Sequence, residues 1–215
     1  NDLSNRTYRP SSSIAFIVLK PRRREIFAAN FRDRVMHHLI DFKLRPLIEK
    51  DLIERTYNNR IGKGTSGCVI QLKKDLEVSG ENDWICKMDM KGFFMSIRKS
   101  LVIEMVCNFI DEKYFEDDKD DLKWLVEVLI SDNPEKYCIR RSAKEMWDDL
   151  DKNKSLFTID DDLGLPIGNL ISQLFANFYL NEFDHFVHET LGFEKYGRYV
   201  DDFYLIGDKD KILNS

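Results

Sequence analysis

The sequence predicts an α+β fold in which helices are mixed with short antiparallel strands. Apolar, β-branched runs of strand length lie at residues 14–20 and 84–88. Helical spacing of apolar residues covers 30–53 and 170–192, and a strand–turn–strand pattern lies around residue 200. Because these elements do not alternate as regular βαβ units, a doubly wound parallel sheet is not favoured.

The first predicted elements are two strands followed by a helix. Residues 14–20 indicate a strand, and residues 20–28 indicate a charged turn and a second strand. A helix over 30–53 follows, and Pro46 is expected to interrupt it. The apolar residues that recur near helical spacing are Phe31, Val35, Leu39 and Phe42.

The middle of the chain is predicted to hold a glycine-rich loop, a strand and two helices. The loop "GKGTSG" (62–67) opens a helix, and Trp84–Met88 forms a strand that runs into an aspartate. Helices over 99–110 and 121–130 lie on either side of the acidic stretch 111–121. That stretch is expected to be a solvated connection.

The remaining part is predicted to be irregular over residues 131–169 and then strongly helical. A long amphipathic helix covers 170–192, with Asn169 as its N-cap and Gly192 as its C-terminal stop. A β-hairpin follows, and its bend carries two adjacent aspartates.

The composition is that of a globular protein with an uneven charge distribution. Of its 215 residues, 43% are hydrophobic and 33% are charged. Residues 1–60 carry 13 Lys and Arg against 7 Asp and Glu, whereas the remainder carries 20 against 31, which gives a net charge of −5. The basic part indicates either a face that meets an anionic partner, such as phosphate or nucleic acid, or ordinary solvated charge.

Cysteine usage and hydropathy predict the compartment. The four cysteines are widely spaced and form no CxxC pair, which favours buried thiols in a reducing compartment over a metal site or disulfides. No apolar run approaches the length of a membrane span, and the first residues lack the pattern of a signal peptide. We therefore expect a cytoplasmic protein with no membrane partner.

The stretch "GRYVDDFYLIG" (197–207) places Asp201 and Asp202 side by side among apolar and aromatic residues. Aspartate is a poor strand residue, and adjacent like charges repel. A turn in which the aspartates accept backbone hydrogen bonds is one explanation. The other is a divalent-cation site, since Mg²⁺ prefers carboxylate oxygens, and Asp89 at the end of a predicted strand is the candidate third ligand.

Three segments in this order resemble sequence boxes of the reverse transcriptases. "KMDMKGFFMSI" (87–97) is similar to the box with their first catalytic aspartate, "GLPIGNLISQLFANFYLN" (164–181) to a loop-and-helix box, and "YVDD" (199–202) to the YxDD box. Most members have Gln-Gly-x-x-x-Ser-Pro where residues 167–173 read Ile-Gly-Asn-Leu-Ile-Ser-Gln. That variant and segment 24–39 resemble the reverse transcriptases of diversity-generating retroelements.

The resemblance implies the right-hand fold of polymerases. Fingers of helices and strands are then expected at residues 1–80. The catalytic palm, with its antiparallel, ferredoxin-like sheet, is expected at 81–215. The helical thumb is expected to be absent from this chain, and a chain without a thumb is expected to extend primers weakly or not at all.

The resemblance also implies nucleotidyl transfer assisted by two metal ions. Asp89, Asp201 and Asp202 are the implied catalytic residues and metal ligands, and the carbonyl of Met90 is expected to assist them. The implied cofactor is Mg²⁺, two ions per site, with Mn²⁺ as a possible substitute.

Five residues are implied to contact the incoming nucleotide. Lys20 and Arg24 match the segment that holds the triphosphate, and Phe94 matches an aromatic gate against the ribose 2′-hydroxyl. Ile167 and Gly168 begin the variant third box. Isoleucine in place of glutamine removes a hydrogen-bonding side chain, so we hypothesise that Ile167 loosens selection opposite template adenine.

Arg60, Gly64 and Tyr199 are the predicted contacts to template or primer. The glycine-rich loop 62–67 lacks the residue order of a phosphate-binding P-loop. Its glycines indicate either a close backbone approach to nucleic acid or only the beginning of a helix, and both explanations stay open.

The implied function is RNA-directed DNA polymerase activity that makes cDNA with errors at adenines, in a bacterial or phage retroelement. The implied partners are template RNA, a DNA primer, deoxynucleoside triphosphates and a small basic pentameric accessory protein. The alternatives are a retron, group II intron or phage-defence reverse transcriptase, or a non-catalytic fragment that binds nucleic acid.

Overall fold

The computed structural model describes residues 2–214. The outer limits of the predicted fingers and palm, Asn1 and Ser215, lie outside the described residues. The strands are β1 (Ile14–Val18), β2 (Arg24–Ala28), β3 (Trp84–Asp89), β4 (Ile139–Arg140), β5 (Lys195–Tyr199) and β6 (Asp202–Gly207). The helices are α1 (Phe31–Asp51), α2 (Thr65–Glu77), α3 (Phe93–Ser96), α4 (Lys99–Lys113), α5 (Lys119–Ile130), α6 (Glu145–Asp148), α7 (Leu170–Tyr179), α8 (Asn181–His185) and α9 (Lys209–Leu213).

The chain divides into two compact units, each built from two separate segments. The first unit contains the chain up to Leu47 together with Gly92–Phe175. The second contains Ile48–Lys91 together with the chain from Ala176 onward. The predicted fingers and palm are functional divisions that these units do not test, so their boundary stays a prediction.

The first unit contains a small mixed sheet of order β2-β1-β4. β1 pairs antiparallel with β2 and parallel with β4. Side chains alternate along the strands, so that Ala15 and Phe27 enter a core cluster with Met95 and Leu156. On β2 the buried carboxylate of Glu25 accepts hydrogen bonds from Trp147 Nε1, Ser155 Oγ and the Leu156 N–H.

Helix α1 departs from its prediction in two ways. It continues through Pro46, so the predicted interruption is wrong. A proline removes one intrahelical hydrogen bond, and the burial of Leu44 and Ile48 holds the turns on either side. The apolar residues that predicted the helix also lie on its outer side, with Phe31 and Phe42 74% and 78% exposed. The buried side consists of Asp33, His37, Ile40, Leu44 and Ile48.

The second unit contains an antiparallel sheet of order β3-β6-β5. One face packs on a core cluster of Val187, Phe193, Tyr196, Phe203 and Leu205. Helix α2 covers the opposite face beside β5, where the Tyr204 hydroxyl donates to buried Asp75 at 2.8 Å. The part of that face on β3 is largely exposed, and β3 lies at the edge of the sheet opposite β5.

The segment 170–192 is not the single helix that its amphipathic pattern predicts. α7 ends at Tyr179, α8 begins after Leu180, and a π-helical turn covers Phe186–Thr190. Polar side chains at the break take tertiary partners, since Asn181 Nδ2 donates to Asp51 Oδ2 at 2.6 Å. The amphipathic pattern carries no signal for those partners.

The two predicted ends of that segment have different outcomes. Gly192 follows the π-helical turn with φ of +68°, a left-handed conformation that suits glycine, so the predicted stop is confirmed. Asn169 does not cap α7, because its Oδ1 has no hydrogen-bond partner.

The structure confirms a mixed fold of helices with small, mainly antiparallel sheets. Strands β1, β2, β3, β5 and β6 and helices α2, α4 and α5 lie where the sequence predicts them, within a few residues. Across residues 2–214, no helix has the length and apolarity needed to cross a membrane.

Candidate catalytic site

The three predicted aspartates lie at one end of the sheet of the second unit. The antiparallel register of β3 and β6 pairs Asp89 directly with Asp202. Asp201 precedes β6, and its carbonyl accepts the Met90 N–H at 3.2 Å. Residues paired directly across strands point to the same face, so the carboxylates of Asp89 and Asp202 are neighbours.

The bend between β5 and β6 is tight and conformationally unusual. Tyr199 on β5 pairs with Asp202 on β6, which leaves only Val200 and Asp201 to turn the chain. Val200 has φ of +61°, a region that a β-branched residue rarely adopts. Such a backbone conformation costs about 1–3 kcal/mol of folding free energy and persists only where the surrounding structure holds it.

Lys87 offsets part of the negative charge at this edge. Its Nζ lies 3.0 Å from Asp202 Oδ1, and both side chains are substantially exposed, at 72% and 47%. Like charges directly opposite one another destabilise a sheet, so Asp89 and Asp202 favour a cation near them. In this structure the cation at Asp202 is the Lys87 ammonium.

The donor chemistry of this edge fits a hard divalent cation. Asp89, Asp201 and Asp202 supply carboxylate oxygens, the ligands that Mg²⁺ prefers. Within the described chain, however, no group of three or more His, Cys, Asp or Glu side chains is arranged to hold a metal ion. Metal binding at this edge therefore requires side-chain movement.

A buried ion pair that the sequence reasoning missed lies beneath the bend. Arg198 on β5 and Asp184 on α8 have fully buried side chains, and Arg198 Nη2 lies 2.6 Å from Asp184 Oδ2. The Tyr196 hydroxyl also donates to Asp184, and burial together with the Asp184 charge raises the pKa of Tyr196. The available signal was a charged residue in the strand beside the bend, between Gly197 and Tyr199.

Gly197 leaves room for the Tyr204 ring on the face of this sheet that α2 covers. The Tyr204 ring lies over Gly197, and a Cβ there would approach the ring within 2.5 Å. The ring thereby reaches Asp75, whose carboxylate also accepts two hydrogen bonds from Arg55 Nη1. Asp75 thus anchors β6 to α2 on this face.

The residues implied to contact the triphosphate lie in the first unit. Lys20 and Arg24 are exposed at the turn between β1 and β2. The neighbouring Arg23 forms an ion pair with Asp149 at 2.6 Å. The exposure of Lys20 and Arg24 is compatible with anion binding, and their nucleotide contact stays a prediction.

The residues of the predicted gate and variant box share a core cluster of the first unit. Phe94 and Ile167 both pack, partly buried, against the cluster that contains Phe27. The Ile167 carbonyl accepts the Phe27 N–H at 2.8 Å. Gly168 has φ of +117°, and a Cβ there would lie 2.7 Å from the Phe27 carbonyl oxygen. The variant box is thus held against β2.

The predicted template contacts of the second unit differ in accessibility. The Arg60 side chain is only 5% exposed, and its guanidinium donates to Glu49 Oε2 and to the carbonyls of Ile53 and Thr56. Gly64 opens α2 with φ of +95°, and a Cβ added there would meet open space, with no atom beyond the adjoining residues within 4 Å. The structure therefore gives Arg60 a structural role, and the nucleic-acid contacts stay predictions.

Comparison with known proteins gives distant likenesses. No family model matches the chain. Protein YkfC of Escherichia coli K12 is 24% identical over 160 residues, which covers 74% of this chain and 35% of YkfC. A telomerase from Candida tropicalis, solved in complex with a TWJ fragment of telomeric RNA, matches with a TM-score of 0.54 and 13% identity.

The telomerase match covers 96% of this chain and 38% of the telomerase chain. The chain therefore spans little more than a third of the length of either protein. At this level of identity, the likeness to telomerase concerns the fold alone.

Proposed function

We propose that this chain is the fingers and palm part of a reverse transcriptase, an RNA-directed DNA polymerase. The observation that carries the proposal is the strand register that pairs Asp89 with Asp202 and places Asp201 at the adjoining bend. The likeness to a telomerase that was solved with RNA supports a polymerase-like right-hand fold and a nucleic-acid partner.

Asp89, Asp201 and Asp202, with the Met90 carbonyl, would hold Mg²⁺. When bound, Mg²⁺ stabilises negative charge on the attacking and leaving oxygens of a phosphoryl transfer. The chain itself contributes the placement of the carboxylates, which the paired ends of β3 and β6 supply. The Lys87 ammonium, 3.0 Å from Asp202 Oδ1, would compete with a cation for that oxygen.

Substrate selection is proposed for residues of the first unit. Lys20 and Arg24 would bind triphosphate oxygens, since ammonium and guanidinium groups suit phosphate. Phe94 would exclude a ribose 2′-hydroxyl, and its packing in the Phe27 cluster supports a fixed ring position. Gly168 and the Ile167 backbone bond hold the variant box in place, which supports a role for Ile167 in selection opposite template adenine.

The Ile-Gly and Ser-Gln residues of the variant box support assignment to a diversity-generating retroelement. Template RNA, a DNA primer, deoxynucleoside triphosphates and a small basic accessory protein are the partners of that proposal. Substitution of Ile167 by Gln should reduce misincorporation opposite adenine in primer extension. Unchanged misincorporation would contradict this part of the proposal and leave the polymerase assignment intact.

Primer extension on an RNA template tests the proposed activity. The full-length protein, its Asp201→Asn variant and an Asp117→Asn control would be compared in Mg²⁺. Asp117 is an exposed aspartate of the first unit, which makes its variant a control for charge loss. We expect Asp201→Asn to lose at least about 100-fold in rate. Loss of a group that only orients a metal ligand already costs up to about 100-fold in activity, and loss of the ligand itself should cost no less.

Two results would contradict the proposal. One is equal activity of wild type and Asp201→Asn, which would remove the metal assignment. The other is the absence of extension by a folded full-length protein that binds primer and template, which would favour a non-catalytic nucleic-acid-binding role.

A further inference from the structure

In the ion pair beneath the bend, each carboxylate oxygen of Asp184 accepts two hydrogen bonds, and each guanidinium nitrogen of Arg198 donates at least one. Arg198 Nε donates to Asp184 Oδ1 at 2.7 Å, and Nη2 donates to Oδ2 at 2.6 Å. Asp184 also accepts from the Tyr196 hydroxyl and from Thr56 Oγ1. The guanidinium of Arg198 therefore sits in one fixed orientation.

The remaining donors of Arg198 bind backbone and amide oxygens near the candidate site. Nη1 donates to the Val200 carbonyl at 2.7 Å, and both Nη atoms lie 3.3 Å from oxygens of Asn177. Val200 is the left-handed residue of the bend, and Asp201 follows it. The guanidinium thus fixes the peptide group that leads into the aspartate pair.

Stability alone is a poor explanation for this arrangement. Removing two charges from water costs free energy that their attraction often fails to recover, and an apolar pair of similar volume can serve as well. A planar guanidinium, in contrast, can bind a carboxylate with one side and a carbonyl with another. Geometry is what this pair supplies and an apolar pair cannot.

We infer that Arg198 is a positioning residue for metal binding, with Asp184 as its anchor. Its bond to the Val200 carbonyl holds the left-handed bend and so sets the directions of Asp201 and Asp202. The inference rests on the proposed function, since it assigns a support to the same carboxylates. Neither Arg198 nor Asp184 lies on the surface, so neither touches substrate.

The Arg198→Lys variant separates positioning from charge. A lysine can keep the ion pair with Asp184, but a single ammonium cannot hold Asp184 and the Val200 carbonyl in the same fork geometry. Mn²⁺ binding, followed by the electron paramagnetic resonance signal of the free ion, reports on the site without needing activity. We expect at least about tenfold weaker Mn²⁺ binding, the range typical of groups that orient metal ligands.

Steady-state primer extension should show the same defect. The Mg²⁺ concentration for half-maximal rate should rise about tenfold and kcat should fall, whereas KM for the nucleotide should change little. Arg55→Lys is the matched control. Arg55 also pairs with a buried aspartate of this unit, Asp75, and its side chain makes no bond to the bend.

Different results would overturn the inference about Arg198 and the proposed function. Wild-type Mn²⁺ binding and kcat in a folded Arg198→Lys variant would overturn the inference alone. Wild-type binding and activity in Asp201→Asn would overturn both. Equal losses of Mn²⁺ binding in Arg55→Lys and Arg198→Lys would reduce Arg198 to a merely structural role and overturn the inference.

A second variant covers failure of Arg198→Lys to fold. Arg198→Met combined with Asp184→Asn removes both charges together and keeps an amide oxygen for Tyr196 and Thr56. Near-ultraviolet circular dichroism would check the fold. Tenfold weaker Mn²⁺ binding in this folded double variant supports the inference, and wild-type binding overturns it.

Discussion

One buried polar cluster in each unit invites comparison, because the two clusters differ in how completely their groups are hydrogen-bonded. In the second unit, Arg198 donates two short hydrogen bonds to Asp184 within a network that also reaches the bend. In the first unit, a cavity of about 30 Å³ is lined by Ser13, His37 and Asn169. The Ser13 Oγ, His37 Nδ1 and Asn169 Oδ1 atoms have no hydrogen-bond partner.

This difference concerns how tightly each of the two clusters is held. A satisfied polar network holds one arrangement, because any displacement leaves a buried donor or acceptor unpaired. Unpaired groups beside a cavity lose nothing specific when they move, although each has already lost its hydration. The hydrogen-bonded network of Arg198 and Asp184 lies under the candidate catalytic bend. The loose cluster, which consists of the unpaired groups of Ser13, His37 and Asn169, lies in the unit that carries the proposed nucleotide contacts.

The largest expected effect follows from breaking the hydrogen-bonded network on one side. Asp184→Ala leaves the Arg198 guanidinium charged, buried and without its carboxylate, which should cost about 3–5 kcal/mol of unfolding free energy. Urea unfolding measures this loss. Asp83→Ala, at a partly exposed pair with Lys195, is the control and should cost far less, because solvent screens that pair. Similar losses in the two variants would contradict the comparison.

The next effect concerns pH and the loose cluster. Burial lowers the pKa of His37 to about 4; the Asp33 charge raises it by less, and the His38 charge lowers it slightly further. Between pH 6.5 and 4 the unfolded chain binds a proton that the folded protein does not, so stability falls as the pH falls through this window. Below pH 4 the loss should reach about 3 kcal/mol.

His37→Gln should flatten this part of the pH profile in urea unfolding. His38→Gln is the control, because His38 is exposed on the same helix and is only the smallest influence on His37, so most of the slope should remain. A wild-type slope between pH 6.5 and 4 in the His37→Gln variant would show that His37 is not the acid-sensitive group.

The smallest effect should come from Ser13→Ala. Its Oγ has no partner, so the substitution loses no hydrogen bond and should change stability by less than about 0.5 kcal/mol or raise it. Ser155→Ala is the matched control, because Ser155 Oγ donates to buried Glu25 at 2.7 Å. That variant should cost about 1–2 kcal/mol. A cost above about 1 kcal/mol for Ser13→Ala would mean that its hydroxyl is bonded in solution.

Local patterns were sufficient for most elements and for the carboxylate pair. The run at Trp84–Met88 and the hairpin around Asp201 were predicted because strand residues and turn residues are short-range signals. The buried face of α1 was not predicted correctly. The exposed residues Phe31 and Phe42 follow helical spacing just as the buried residues of α1 do. Periodicity identifies a helix but does not decide which apolar stripe the rest of the protein covers.

The buried ion pairs near the candidate site could not be predicted from the sequence, because they depend on tertiary contacts. Arg198 was visible as a charge in the strand beside the bend, but its partner Asp184 lies on a separate helix that the sequence predicts as part of one long helix. Similarly, no short stretch of the sequence indicates that the Arg60 side chain is buried against Glu49. Partners distant in the chain leave no local signal.

The sequence by itself determined the mixed α+β class, the strands at Ile14–Val18 and Trp84–Asp89, and the bend with its two aspartates. Those features depend on spacing and turn chemistry within a few residues. Only the tertiary structure decided that Asp89 stands opposite Asp202 and that Arg198 holds the Val200 carbonyl. Strand register and buried ion pairs join segments distant in the chain, and their free energy depends on packing that no short stretch encodes.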